Sequence, residues 1–217
     1  MRRAVELGKR LLQERLLAGS FLWKMSPGPA VALTFDDGPH PVHTPAILEL
    51  LARHDVKATF FVVGETVLRN PGILRDIVAA GHCVGSHTQT HQELPSLDAQ
   101  GLAGELDLCR RTIADVAGID VSLVRPPRGK VSLPVLYRVR GLGYQVVHWS
   151  KTYSDYVQDG VEPLLARMRA RPPEAGDILL FHDTLPFTVQ ALATILPEWL
   201  AAGQTFAPIR LAKPSLQ

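Results

Sequence analysis

Cysteine, long apolar runs and net charge are all scarce in this sequence. Two cysteines among 217 residues, Cys83 and Cys109, lie in apolar-rich stretches with no Cys-x-x-Cys partner. That leaves little room for a disulfide or thiolate-ligand role, and both are expected as buried free thiols. No uncharged apolar stretch approaches the length of a membrane span. The best candidate for a signal h-region, Leu16 to Trp23, is short, follows Glu14 and Arg15, and lacks a small-x-small cleavage pattern. Export is therefore not expected; the expected location is the cytoplasm, with membrane association as the alternative. Low-complexity tracts and internal repeats are also missing. A formal net charge of +2 is too small to point to nucleic acid.

What is present is an ordinary globular composition, 46% apolar and 20% charged, long enough for one well-buried domain and short of two. The charge is unevenly spread. Residues 1–25 hold Arg2, Arg3, Lys9, Arg10, Arg15 and Lys24 against Glu6 and Glu14, so that segment is +4 and the remainder −2. On a helical wheel Leu7, Leu11, Ala18 and Leu22 fall on one stripe, with Val5, Leu12 and Leu16 beside it. Residues 2–22 read as an amphipathic helix, and 1–26 as a segment distinct from a main domain over 27–217. Its plain role is packing on the domain's own core; a peripheral membrane or dimer contact is the sharper reading. Ser26-Pro27-Gly28-Pro29 ends it.

From residue 30 onward, β-branched and aromatic runs (31–35, 58–63, 83–86, 122–125, 144–149, 177–181, 205–209) alternate with helical patterns (44–53, 71–80, 98–116, 133–140, 161–170, 188–201). Gly81, Gly118, Gly143 and Gly203 punctuate helix ends. Seven strands alternating with helices predict an α/β fold with a parallel sheet, either doubly wound or closed into a barrel. In both, chemistry gathers at the C-terminal ends of the strands.

The chemistry-bearing residues fall at those ends. The first strand runs into Thr34-Phe35-Asp36-Asp37-Gly38-Pro39, where neighbouring carboxylates on extended backbone point apart. One can hold a metal while the other faces a substrate. The third runs into His87-Thr88-Gln89-Thr90-His91. On a helical turn that spacing puts both imidazoles on one face, and two His with one Asp leave coordination positions open for water. The fourth ends in Arg125-Pro126-Pro127-Arg128-Gly129. A buried arginine there would grip one of the paired aspartates through two-pronged ionic hydrogen bonds. The fifth leads through His148-Trp149-Ser150 to Asp155-Tyr156, and the sixth into His182-Asp183. Alone, each signal has a bland reading as a turn, a surface pair or a core histidine. Together they place Asp36, Asp37, His87, His91, Arg125, Asp155 and His182 on one face.

The ordered set TFDDGP, HTQTH, RPPRG, WSKTYSDY and LLFH resembles the five motifs of the polysaccharide deacetylases, carbohydrate esterase family 4 or the NodB-homology domain, over about residues 29–210. The resemblance implies a distorted (β/α) barrel with about seven strands, and hydrolysis of N-acetyl groups on an N-acetylglucosamine-type saccharide with release of acetate. It also implies one divalent metal, usually Zn²⁺ and sometimes Co²⁺ or another ion. By the same resemblance Asp37, His87 and His91 are the metal ligands, Asp36 the catalytic base and Arg125 the group that orients it. His182 is the catalytic acid, Asp155 the carboxylate that tunes it, and Leu180 the neighbour of the acetyl methyl. Three positions depart from the pattern. Arg128 stands where the family has tyrosine, keeping a backbone N–H for the oxyanion but replacing an aromatic wall with a cation. Thr152 stands for an aspartate and Tyr156 for a tryptophan, so Arg128 and Tyr156 bear on substrate binding. A same-fold amidase acting on a non-sugar C–N bond, and a non-catalytic carbohydrate-binding relative, are the alternatives.

Overall fold

The computed structural model describes residues 21–25 and 28–210. The helix expected over 2–22 therefore lies outside the described residues, except at its end. There it is wrong: Phe21–Leu22 is a strand, β1, pairing in parallel with residues 146–147. A short apolar run does not distinguish helix from strand by periodicity. Here the open edge of a parallel sheet decides, because its N–H and C=O groups need partners.

Seven further strands follow: β2 (Ala32–Asp36), β3 (Thr59–Val62), β4 (Cys83–Ser86), β5 (Leu123–Val124), β6 (Gln145–Val147), β7 (Lys151–Thr152) and β8 (Ile178–His182). The described helices are α1 (His43–Arg53), α2 (Gly64–Arg69), α3 (Pro71–Ala79), α4 (Ala99–Ala117), α5 (Leu133–Gly141), α6 (Val161–Ala170) and α7 (Pro186–Ala201). All strand pairs are parallel, in the order β1-β6-β5-β4-β3-β2-β8-β7. The sheet curls into an incomplete, distorted barrel. Its two flanks are joined by one segment: only three residues separate β6, on one side, from β7, which pairs with β8 on the other.

The sequence patterns account for most of these elements. Every residue of β2 is buried, as expected of a parallel strand covered on both faces. Leu33 and Phe35 join the large cluster under the helices, whereas Ala32 faces the barrel interior with Phe61, Leu123, Val147, Ile178 and Ile209. α4 starts where Asp98 accepts the Gly101 N–H at 2.7 Å and stops at Gly118, which takes φ 68. Its buried Leu102, Leu106, Cys109 and Ile113 recur at helical spacing.

Two expectations change in detail, and one helix is unforeseen. The run over 144–149 ends as a strand at Val147, and β7 begins beyond a bend. The run over 205–209 forms a single bridge, Val31 to Phe206, because Pro208 cannot donate to a ladder. The six-residue α2 had too few residues to show a period. Both cysteines are free, Cys109 buried and Cys83 half-buried.

Candidate active site

The C-terminal ends of β2, β4, β5, β6 and β8 bring the chemistry together. Asp36 is the last residue of β2 and pairs in register with His182, the last of β8. By strand alternation Ile178, Leu180 and His182 share the inward face of β8, so buried Leu180 lies two residues below the imidazole, opposite Thr34.

Arg125 is completely buried. Its Nη1 donates to Asp36 Oδ1 at 2.8 Å and to Thr34 Oγ1 at 2.6 Å; Nη2 donates to the His148 carbonyl at 3.0 Å and Nε to the Val147 carbonyl at 3.4 Å. Its guanidinium carbon also lies 4.2 Å from the centroid of the Phe61 ring. The expected two-pronged grip on an aspartate is thus a single contact. Nε and Nη2 instead cross the barrel interior to carbonyls at and just past the end of β6, because the guanidinium lies inside the barrel rather than alongside the carboxylate.

Asp37 follows with a left-handed backbone, φ 75, which turns its side chain away from that of Asp36. Its Oδ1 lies 3.3 Å from His87 Nε2 and 3.2 Å from His91 Nε2, and it is buried without a hydrogen-bond partner. Burial alone would raise this carboxyl; the imidazoles of His87, His91 and His182 outweigh it and hold it well below the usual carboxylate range. The His87 tautomer follows from its other nitrogen. Nδ1 is 2.7 Å from the Arg125 carbonyl, which can only accept, so Nδ1 carries a proton; Nε2 then either donates a second proton to Asp37 or, with the ring neutral, presents a lone pair. In the neutral form, facing lone pairs at this distance repel unless a cation sits between them. Ligands at about 2.0–2.1 Å in tetrahedral array around Zn²⁺ stand about 3.3–3.4 Å apart, which matches the spacing seen. Asp37, His87 and His91 fit one divalent cation, and they form the one such cluster among the described residues.

The His87–His91 segment is not the helical turn expected. It is a loop in which Thr88 (φ 70) and His91 (φ 62) both adopt left-handed backbone. Those two reversals, rather than a helical repeat, turn the imidazoles toward one point.

His182 Nδ1 lies 2.9 Å from Asp155 Oδ1; Asp155 Oδ2 accepts the His182 backbone N–H and the Thr188 hydroxyl, each at 2.8 Å. Burial opposes protonation of His182, but the hydrogen bond and charge of Asp155, with Asp36 and Asp37 beyond, raise its pKa to about 9. A protonated ring locked at Nδ1 offers its Nε2 proton to the cleft. Tyr156, 56% exposed, stands edge-on to this ring at 6.0 Å. Arg128 lies at the rim in left-handed backbone, φ 56, and its exposed guanidinium reaches Glu93 at 3.1 Å. Glu93 is shared with Lys130 at 2.8 Å.

Sequence reasoning missed several residues here. Thr188 fixes Asp155 from α7. Asp183, fully buried next to His182, accepts from Thr44 at 2.5 Å and is pushed up to about 7 by burial. Gly38 backs onto it so closely that a Cβ would lie 2.0 Å from Asp183 Oδ2, which explains the glycine in the first motif. Glu105 on α4 holds the histidine loop. Apart from the glycine, no motif spacing marks these residues.

Residues 24–147 match the model of the polysaccharide deacetylase family. The chain is 34% identical over 184 residues to a peptidoglycan-N-acetylglucosamine deacetylase of Bacillus cereus, covering 82% of this chain and 85% of that protein. It is 38% identical over 161 residues to a chitooligosaccharide deacetylase of Sinorhizobium fredii, covering 73% and 74%. The crystal structure of the peptidoglycan N-acetylglucosamine deacetylase Bc1960 superposes with a TM-score of 0.84 at 27% identity, over 90% of this chain and 94% of that one.

Proposed function

Because the chain belongs to the polysaccharide deacetylase family, we propose that it is a metal-dependent hydrolase removing acetyl groups from an N-acetylglucosamine-type oligo- or polysaccharide. The observation that carries this reading is the convergence of three devices at one end of the barrel. These are an Asp36–Arg125 ion pair, an Asp37–His87–His91 cluster with an orphaned carboxylate oxygen, and a His182–Asp155 pair.

Asp37, His87 and His91 would hold a divalent cation, which when bound would supply Lewis-acid polarisation and acidify water. Asp36, fixed by Arg125, takes the proton from the attacking water, help worth roughly 10²- to 10⁴-fold. The backbone N–H of Arg128 is the candidate second donor to the oxyanion; such donors are worth about 10²- to 10³-fold. His182 protonates the departing amine, since an amide anion does not leave, and Asp155 keeps the imidazole charged and aimed. Leu180 borders the acetyl methyl and Tyr156 the sugar. The products are acetate and a free amino sugar.

Acetate release from N-acetylglucosamine oligomers of increasing length, with and without a chelator, tests the proposal. Release abolished by chelation and restored by Zn²⁺ or Co²⁺ is expected. Turnover that survives complete metal removal would end the metal-dependent reading, and no release from any oligomer would favour a carbohydrate-binding relative without turnover.

A further inference from the structure

The two histidines of the metal cluster are held in different ways. His87 leaves the end of β4, fully buried, with Nδ1 bound to the Arg125 carbonyl. His91 is half-exposed, and its sole polar side-chain partner among the described residues is Asp37 Oδ1. The direction of its imidazole therefore depends on its backbone, which is strained. Thr88 and His91 occupy the left-handed region within four residues, backbone that side-chain-bearing residues rarely adopt. Such backbone persists only where its surroundings over-determine it.

The surroundings are specific. Glu105, half-buried on α4, accepts the Gln89 and Thr90 backbone N–H groups at Oε2, at 3.0 and 2.9 Å, and the Thr90 hydroxyl at Oε1, at 2.9 Å. From the other side, the N–H groups of Gly64 and Glu65, opening α2, donate to the Thr88 and Gln89 carbonyls at 3.0 and 2.9 Å. The Gln89 side chain fills the space above Gly64, where a Cβ would lie 1.9 Å from Gln89 Oε1, and accepts from Thr112 at 3.3 Å. The loop is thus clamped between α2 and α4, and the charged part of the clamp is one carboxylate. The two peptides between Thr88 and Thr90 are each held from both sides, at the carbonyl by an N–H of α2 and at the N–H by Glu105, and the chain enters His91 directly from there.

We propose that Glu105 is a positioning residue for the metal centre: its carboxylate fixes the Gln89–Thr90 backbone so that His91 shares a cation with Asp37 and His87. The inference rests on reading those three residues as metal ligands. It assigns metal affinity in part to a residue that touches neither metal nor substrate and lies outside every motif.

Glu105→Gln keeps the size of the side chain but brings an amide N–H toward backbone N–H groups that need acceptors. The measurements are Zn²⁺ dissociation from the full chain in competition with a chromophoric chelator, the visible absorption of the Co²⁺ form, and the melting temperature of the metal-free protein. The expected result is a Kd for Zn²⁺ raised about 10- to 100-fold, the scale set by groups that orient a ligand from behind. An altered Co²⁺ spectrum, a nearly unchanged metal-free melting temperature and acetate release recovered at saturating Zn²⁺ should accompany it. Thr90→Val removes one of the three hydrogen bonds and should raise Kd in the same direction by less; it decides the matter if Glu105→Gln does not fold. A Kd within two-fold of wild type in the folded variants overturns the role of Glu105. So does a metal-free melting temperature that falls while Kd stays put, since that describes a structural brace alone. Wild-type protein that binds no stoichiometric Zn²⁺ would instead remove the metal reading, and this inference with it.

Discussion

At the scale of single residues, His182 and Arg128 pose the sharpest questions. The lock at His182 Nδ1 leaves one proton to give, through Nε2. A general acid matters in proportion to how badly the leaving group needs its proton. His182→Ala should therefore cut turnover by about 10²- to 10⁴-fold on an N-acetyl amide and far less on an activated acetyl ester, measured as the two kcat/KM ratios. Equal losses on both would reassign His182 to binding. Arg128 replaces an aromatic wall with a guanidinium suited to carboxylate or phosphate. An anion near the N-acetyl group, such as a uronic acid or a lactyl ether, would suit that cation. The structure also supplies the plainer partner, Glu93, already shared with Lys130. Two cations on one carboxylate leave the rim with an excess of positive charge. Arg128→Tyr should keep or raise activity on neutral oligomers and lower it on anionic ones, with the wild-type anionic preference weakening as salt increases. Unchanged relative rates would leave Arg128 as a partner of Glu93 alone.

At the scale of elements, the β3–β4 pair carries a testable pH dependence. His82, just before β4, accepts the Ala58 N–H at Nδ1, and burial, with Lys57 adding to it, pushes its pKa down to about 4. The folded chain refuses a proton that the unfolded chain takes up below about 6.5. Stability is therefore complete above pH 6.5 and is lost as pH falls toward 4, by at most roughly 1.4 kcal/mol per unit. His82→Asn keeps an acceptor near the same place and cannot titrate. In urea unfolding across pH 4–7 the variant should show a shallower decline than wild type; superimposable slopes would mean that other groups carry the acid sensitivity. The elements also show what could be read beforehand. Strands buried on both faces and helices with a clear period were legible because burial repeats along the chain. β1 and β7, two residues each, were not, because their identity comes from an unpaired edge across the sheet and not from their own side chains. The same contrast holds in the site. Asp36, Asp37, His87, His91, Arg125, Asp155 and His182 stand at strand ends within motifs. Thr188 and Glu105 act from elements with no motif, and Asp183, one residue past the LLFH motif, gains its partners Thr44 and Gly38 only in the folded chain. The left-handed reversals in the histidine loop were hidden by a spacing that also suits a helix.

At the scale of the whole molecule, a cation held by Asp37, His87 and His91 would bind the folded chain alone, since those residues come from two separate segments. Saturation at about 100 times Kd adds about 2.7 kcal/mol, and for a domain of this size each kcal/mol moves the melting temperature by about 2–4 °C. Zn²⁺ should therefore raise the melting point of chelator-stripped protein by about 5–10 °C, read by calorimetry, with no such gain in His91→Ala. An equal gain in that variant would place the bound ion elsewhere.

One arginine also has a consequence beyond the reaction it serves. Arg125 reaches from β2, through Thr34 and Asp36, to the end of β6, through the carbonyls of Val147 and His148. It is a tie-rod across the hollow of the curl, anchored in the wall that bends to join its two flanks. The side chain that would aim a base at Asp36 also links two walls of the barrel. A lysine would carry the charge but could not brace two walls at once, and a neutral substitute would leave Asp36 buried without its counter-ion, a loss on the order of 3–5 kcal/mol. Drift at this position would slacken the vessel as it silenced the chemistry, so a descendant that abandoned catalysis would still be under mechanical pressure to keep its arginine.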